Sequence, residues 1–430
     1  MSRREHAVVI GAGIAGMLAA RVLADAFPRV TVLERDTLDG AAPRRGAPQA
    51  RHLHGLMERG RSIMEELYPG LTAEVAGRGA PVTEVLVGSR WYLSGLRARP
   101  TPTGLTTLLA SRPLLEDAIR ARTSALPGVE VRPRTAAEGL AVEGGRVTGV
   151  RVAGETIPAD LVVDATGRAS RATDWLAGLG VAAPPEERVE IDLGYSSRTY
   201  RRRPEHLDGD LAVVVSTMAG SRGGGAVLVE GDRWHVTLGG MLGDHPPTDH
   251  EGFTAFAKTL PVPDIHGIVA DAEPLDDPVP HRFRASVRRR YEALAAPPPG
   301  FLVLGDALCS FNPLYAQGMT VAAQQAMALR ECLSDGGTER LAARFYAAAA
   351  ALVDVAWGMS ISSDLNHPGV AGRRKPGIRL RNAFVGLAHR AAHTDAVVSR
   401  TFMRVANLVD PPAVLFRPAT AARIIYRSFP

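Results

Sequence analysis

Gly11, Gly13 and Gly16 stand in GxGxxG spacing directly after the β-branched run Val8, Val9 and Ile10. Glu34 follows about 20 residues later, the interval expected when a carboxylate meets a ribose. The chemistry such residues can do is to hold a nucleoside diphosphate. The first glycine permits a tight turn, the second lets a pyrophosphate approach the backbone, and the third lets the following helix pack close to the strand. Ile14 and Ala15 open that helix, whose free N–H groups and positive dipole end face the diphosphate. Glu34, with Arg35 beside it, closes a second strand, and an acid there disfavours a ribose 2′-phosphate. The ADP part of FAD or NAD is therefore expected, rather than NADP.

A second constellation lies near the other end, in FLVLGDALCSFNPLYAQGMT. A buried strand over 301–304 ends at Gly305 and Asp306, a loop carries Asn312 and Pro313, and a helix starts near Gln317, Gly318 and Met319. Asp306 can hydrogen-bond polyol hydroxyls, and Gly318 lets a planar ring touch the backbone. The helix start can stabilise negative charge on a reduced flavin by roughly 1 kcal/mol.

Several elements must bring these loops together. A helix is expected over 14–26 and a strand over 30–33; Pro43 and Pro48 forbid a helix in the loop over 42–56, and helical spacing returns over 57–67. Arg44, Arg45 and Arg51 are loop cations that could fold back over a diphosphate, or be surface charge. His52 and His54 lack a third ligand at zinc spacing, so hydrogen-bonded histidines are expected rather than a metal pair. Arg112 opens a helix N-capped by Ser111 and with Pro113 in its first turn. An arginine there is poorly placed for the dipole, which suggests contact with a phosphate or ribityl group. Short strands follow over 129–133, 139–142, 146–152 and 161–164. The last ends in DATGRAS, where Asp164 and Gly167 suit a backbone that approaches a nucleotide, or an ordinary strand exit. Over 184–284 alternating runs read as antiparallel strands, whose inner residues are expected to include Val213, Val215, Val227, Val229, Trp234 and Val236, most of them core. The glycine run at 223–225 lacks the flanking strand and helix of a second nucleotide fold.

The expected architecture is α/β. It is a Rossmann-like FAD-binding domain of glutathione reductase type over 1–183, with part of a substrate domain inserted around 70–110. A β-sheet substrate domain follows over 184–290, then a return of the FAD-binding domain over 291–375 and a helical cover over 376–430. With 430 residues, 46% hydrophobic, the chain can build a large core. The cations are nearly all arginine, Lys258 and Lys375 being the two lysines, and no basic run is interleaved with aromatics, so no nucleic-acid partner is expected. Cys309 and Cys332 make no CxxC pair, which argues against a thiol redox centre or cysteine metal site. The first strand leaves no room for a signal peptide, and the most apolar helix, around 345–357, reads as too short to span a bilayer. A cytoplasmic protein without stable membrane insertion is expected; oligomeric state is left open.

GAGIAG with Glu34, RRGAPQARHLHGL, SRPLLEDAIR, ADLVVDATGRAS and GDALCSFNPLYAQGMT occur in the order found in a known family. The chain resembles the FAD-dependent monooxygenases related to phenol and p-hydroxybenzoate hydroxylases. More narrowly it is similar to flavin epoxidases of polyether-antibiotic pathways and to squalene epoxidase. The resemblance implies FAD with its adenosine at Glu34, its diphosphate at Gly13 and Arg112, its ribityl chain at Asp306 and its ring beside Pro313 to Met319. It also implies NADPH or NADH as reductant and O2 transferred through a C4a-hydroperoxide. Ala165-Thr166-Gly167 replaces the family's usual ADG, and Cys309 the histidine often found after GD.

The resemblance leads to epoxidation, or hydroxylation, of a hydrophobic polyketide or terpenoid. No catalytic acid or base is expected, because transfer to an alkene needs a dry, shaped cavity rather than a protein proton donor. The alternatives are an aromatic hydroxylase of a phenolic polyketide, a flavin-dependent prenyl-chain reductase, and a non-catalytic FAD-binding protein. A halogenase would need a positioned lysine and a WxWxIP motif, and neither is visible.

Overall fold

The computed structural model describes residues 5–44, 46–217 and 220–429. The run HAVVI forms a strand, His6–Ile10, buried at every position, as expected of a strand covered on both faces. It is the centre of a five-stranded parallel sheet ordered Phe301–Val303, Leu161–Asp164, His6–Ile10, Arg29–Leu33, Val129–Arg132. Both nucleotide-type loops leave carboxyl ends of strands of this sheet, His6–Ile10 and Phe301–Val303, with Leu161–Asp164 between them. Helix Ile14–Ala24 packs against helix Gly318–Gly336, which brings the two distant sequence constellations together.

A second sheet of eight strands runs Cys309–Ser310, Val279–Arg289, Glu186–Arg201, Arg233–Gly240, Arg222–Val229, Ala212–Val215, Ser89–Leu93, Leu96–Arg97. It is antiparallel except where Ser89–Leu93 pairs in parallel with Ala212–Val215. The glycine run lies inside strand Arg222–Val229. The outer face is closed by helices His250–Lys258 and Asp264–Asp271, whose Phe253, Phe256, Ile265 and Ile268 share a core with Trp234, Val236 and Leu238. The architecture is thus a parallel-sheet α/β body, a large mostly antiparallel sheet and a helical C-terminal region.

Local expectations shift by small amounts. The first helix ends at Ala24, the loop over 42–56 contains one 3-10 turn, Pro48–Arg51, and Met57 is the N-cap of helix Glu58–Leu67. One expectation fails. The apolar helix around 345–357 extends over Leu341–Asp364, 24 residues, and is long and apolar enough to cross a membrane by length and composition. It buries Phe345, Tyr346, Ala349, Val353 and Trp357 in the core beside the parallel sheet. Asp354 sits on its exposed side, so it does not interrupt the apolar face. The C-terminal helices Ile378–Thr394, Ala396–Ala406 and Pro418–Arg427 cover mainly the segment 85–105, through Val85, Leu86, Leu93 and Leu105.

Candidate functional site

One cavity of about 430 Å³ runs from the first glycine loop to the inner face of the large sheet. At one end it is walled by Gly11, Gly13, Ile14, Ala15, Glu34, Arg35, Arg44, Arg112 and Glu116. In its middle lie Thr166, Gly167, Arg168, Asp306 and the loop Pro313, Leu314, Ala316, Gln317, Gly318 and Met319. Its far end is lined by His52, Leu53, His54, Tyr195, Thr237 and Phe283.

The glycine-loop end is held by a buried charge network. Glu34 Oε2 accepts from Ala12 N–H at 2.9 Å and from Arg44 Nη1 at 2.6 Å, while Oε1 accepts from Asp36 N–H at 3.1 Å. Arg44 Nη2 and Arg112 Nε then share the Glu116 carboxylate, at 3.0 and 2.8 Å. Burial opposes ionisation of Glu116, but Arg112 and Arg44 outweigh it and hold its carboxyl below the usual range. Arg112 therefore has a local partner that explains its position in the first turn, and it still faces the cavity. Arg51 is exposed and is absent from the cavity wall; its carbonyl accepts from His235, so this loop cation does not fold back as one sequence reading had it. Arg45 lies outside the described residues.

Asp164 also differs from expectation. It is fully buried and does not reach the cavity; its carboxylate accepts from Thr166 N–H and Oγ1 and from Ser170 Oγ, which shapes the turn that presents Thr166 and Gly167. Gly16 likewise stays behind the wall, against the Gly11 carbonyl.

Asp306, by contrast, makes no hydrogen bond or ion pair among the described residues and faces the cavity beside Gly318. Burial pushes its carboxyl up, against the pull of Arg112 and Arg168. Gln317 Oε1 is buried without a partner in the same wall. A free carboxyl, a free amide oxygen, an open glycine cradle at Gly13 and a helix start at Gly318 suit the polyol, the ring edge and the diphosphate of FAD, so the residues present fit that group.

The loop Asn312–Gln317 is fixed by contacts absent from the sequence reading. Asn312 Oδ1 accepts from Leu314 N–H, and its Nδ2 donates to Asp364 Oδ1 at 2.8 Å. Tyr315 OH donates to the same oxygen at 2.9 Å. Asp364, last residue of a long helix and wholly buried, has its carboxyl pushed up to about 6 by burial, the bonds from Asn312 and Tyr315 opposing this.

At the far end Ser197 Oγ lies 2.8 Å from His52 Nδ1 and 2.5 Å from Thr237 Oγ1, and Leu53 N–H donates to Thr237. His52 packs edge-on to Tyr195 at 4.6 Å, and Arg168 sits 4.6 Å over the Phe283 ring. Burial, aided by the nearby His281, His235 and Arg51, pushes His52 down to about 3, so the ring is a neutral hydrogen-bonding group. Burial and Arg112 likewise bring His54 to about 3. Among the described residues no cluster of three metal-type ligands occurs, and His52 and His54 engage hydroxyl and carbonyl partners.

The expectation that most of these strand residues are core holds for all six. Val213, Val215, Trp234 and Val236 point into the outer core, and Val227 and Val229 pack with Leu109 and Ala212, so none lines the cavity. Strand parity decides this: Trp234 and Val236 take one face, and Thr237 takes the other. Of the residues that sequence reasoning missed, Arg168 follows Gly167 directly and was readable, whereas Tyr195, Thr237 and Phe283 carry no local signal.

Cys309 is buried and its thiol is pushed well above its ordinary value by burial. Cys332 is buried too, with a raised thiol. In the native protein at pH 7.5 neither is expected to react with a maleimide within an hour, and both should do so after denaturation, as read by intact mass.

The mycobacterial protein Rv3254 of Mycobacterium tuberculosis is 35% identical to the chain over 433 residues, covering 95% of this chain and 90% of that one. The chain belongs to the Rv3254 family. It is also 28% identical over 353 residues to the kynurenine 3-monooxygenase of Salinispora tropica, covering 77% of this chain and 73% of that enzyme. Among solved structures the flavin-dependent brominase Bmp2 superposes with a TM-score of 0.69 at 16% identity, covering 97% of each chain, which is a likeness of fold. No protein-family model matches the chain. The fold is thus one shared with a flavin-dependent enzyme, and part of the sequence is similar to a kynurenine 3-monooxygenase.

Proposed function

We propose that this flavin monooxygenase uses NADPH or NADH and O2 to epoxidise, or hydroxylate, a hydrophobic polyketide or terpenoid of secondary metabolism. The observation that carries this reading is the continuity of one cavity from the Glu34 end, past the Pro313–Met319 loop, to a chamber under the large sheet. In this reading Glu34 and Arg35 face the adenosine, Gly11 and Gly13 the diphosphate, Asp306 the ribityl chain, and Gln317, Gly318 and Met319 the ring. FAD, when bound and reduced, supplies the activated oxygen. The chain's residues orient substrate against it and exclude water.

The chamber favours one alternative more than the sequence did. Its wall carries aromatic and hydroxyl groups as well as leucines, and neutral His52 and Thr237, tied together behind the wall through Ser197, could accept a hydrogen bond from a phenol. Hydroxylation of a phenolic polyketide is thus the second reading. Against halogenation stands the distance of both lysines from this wall, since neither Lys258 nor Lys375 lines the cavity.

The test is turnover of FAD-loaded protein with NADPH or NADH and panels of polyene and phenolic substrates. Oxygen uptake with a product heavier by one oxygen atom supports a monooxygenase, and the reactive panel separates epoxidation from hydroxylation. Flavin bleaching with saturation of a prenyl double bond would establish the reductase instead. Failure to be reduced by either nicotinamide would leave a binding protein.

A further inference from the structure

The chain's net charge of +5 is unevenly distributed. Residues 371–430 carry 11 Lys/Arg and 2 Asp/Glu, a net of 11 − 2 = +9, so the remaining residues sum to 5 − 9 = −4. Both acids are already neutralised within the segment, Asp395 by Arg423 and Arg427, and Asp410 by Arg404. Seven of these cations lie on three helices that pack together over the insert and turn their other faces outward, and the other four, Arg373, Arg374, Lys375 and Arg417, lie in the segments before and between them.

The outward faces of two of these helices differ in character. Helix Pro418–Arg427 buries Ile424 and Ser428 inward. On the opposite side it presents Ala419, Ala422, Tyr426 and Phe429 at intervals of three and four, an apolar stripe with Ile425 at its edge and Arg423 and Arg427 along one flank. Tyr426 is 76% exposed and Phe429 is 64% exposed. Helix Ile378–Thr394 packs against it and buries Ala388, Ala391 and Ala392. Its outward positions Arg379, Ala383, Arg390 and His393 recur at helical spacing and carry no acid.

We propose that this C-terminal layer is a docking surface for an anionic lipid bilayer. The apolar stripe, with Tyr426 and Phe429, would enter the headgroup boundary, and Arg379 and Arg390 of the neighbouring helix would lie against lipid phosphates. An apolar stripe of this kind, left exposed beside the single buried anchor Ile424, marks an interaction surface when something apolar covers it. The basic surround with no free acid specifies an occupant that is both negatively charged and apolar beneath its charge. A bilayer of anionic phospholipid has that layered chemistry; an acidic soluble protein matches the charge but not the stripe. The contact is peripheral: the helices lie along the surface, and no span is involved. The proposal does not depend on which oxygenation the cavity performs.

The test is co-sedimentation of the full-length, FAD-loaded chain with vesicles of phosphatidylglycerol and phosphatidylcholine, against pure phosphatidylcholine vesicles. Binding to the anionic vesicles is expected to exceed binding to the neutral ones at least tenfold, and to fall between 50 and 500 mM salt, on the order expected for surface charge. The double variant Tyr426→Ser, Phe429→Ser and the separate double variant Arg379→Gln, Arg390→Gln are each expected to cut binding about fivefold or more. Flavin absorbance and melting temperature should stay unchanged, because all four side chains project outward. Equal binding to both vesicle types, or none to either, would overturn the proposal. So would a concentration-dependent dimer abolished by Tyr426→Ser, Phe429→Ser, since a second copy would then be the occupant.

Discussion

Replacing Gly13 by alanine is expected to leave the apo fold intact and to weaken FAD binding by about 2–3 kcal/mol, on the order of a hundredfold in Kd. A Cβ built at Gly13 meets nothing nearer than Arg44 Nη2 at 3.7 Å, an ordinary contact with a movable side-chain end. Apo stability should therefore change by less than about 0.5 kcal/mol. The same methyl group projects into the cradle where the backbone must approach a diphosphate, so the cost falls on the bound state alone. The same change at Gly16 is expected to behave in the opposite way. A Cβ there would stand 1.8 Å from the Gly11 carbonyl oxygen, a backbone atom that cannot move aside without displacing the first strand or helix. Gly16→Ala should cost at least about 3 kcal/mol of stability, at the upper end of core overpacking, and lose FAD as a consequence of that. Urea unfolding of apo protein, paired with flavin-fluorescence titration, separates the two. If Gly13→Ala bound FAD with native affinity, the diphosphate would not lie over this loop and the cofactor assignment of the cavity would fall.

This pair of glycines also shows where sequence is informative. The strand–loop–helix unit from His6 to Ala24 is legible because every contact that defines it is local, and the spacing of three glycines encodes both the turn and the close approach. The GD loop is legible for the same reason. Their meeting in space is not, because it depends on the packing of helix Ile14–Ala24 against Gly318–Gly336, about 300 residues apart, and only the resemblance to flavoenzymes supplied it. Arginines in the loop over 42–56 look alike in sequence; Arg44 is selected by two buried carboxylates, Glu34 and Glu116, of which the second sits on another helix. The chamber wall was not legible because period-two alternation says that a strand has two faces and not which face is covered by helices. Two helices over 250–271 cover Val213, Val215, Trp234 and Val236, and the site receives Tyr195 and Thr237.

Asp364 is the residue with no sequence signal at all, and substituting it is expected to have the largest pH-dependent effect. Its carboxyl titrates near 6 in the fold against an ordinary value of 3.8, raised by burial at a helix end whose own dipole also disfavours an anion. A raised carboxyl pKa means that the folded state prefers the protonated form. That preference is fully present below pH 4, is lost as pH rises through 6, and above 6 leaves a charged, buried group whose Oδ2 has no partner. The shift corresponds to about 3 kcal/mol of lost stability at pH 8. Asp364→Asn copies the shape of the protonated acid and keeps one oxygen to accept from Asn312 Nδ2 and Tyr315 OH. It should therefore lie within about 1 kcal/mol of the parent at pH 4.5 and exceed it by up to about 3 kcal/mol at pH 8, seen as a higher melting temperature. Asp364→Leu removes the acceptor at every pH, which strands two buried donors at about 1–3 kcal/mol each and frees the loop that carries Pro313 to Gln317. FAD affinity should then drop in the leucine variant and hold in the asparagine one, at both pH values. The opposite ordering would mean that the charge itself holds the loop, and that Asp364 is ionised in the fold at pH 4.5 as well as at pH 8. Because that loop lies between the glycine cradle and the chamber, a carboxyl some 50 residues beyond it, at the end of helix Leu341–Asp364, governs the shape of the cavity where the two halves of the site meet.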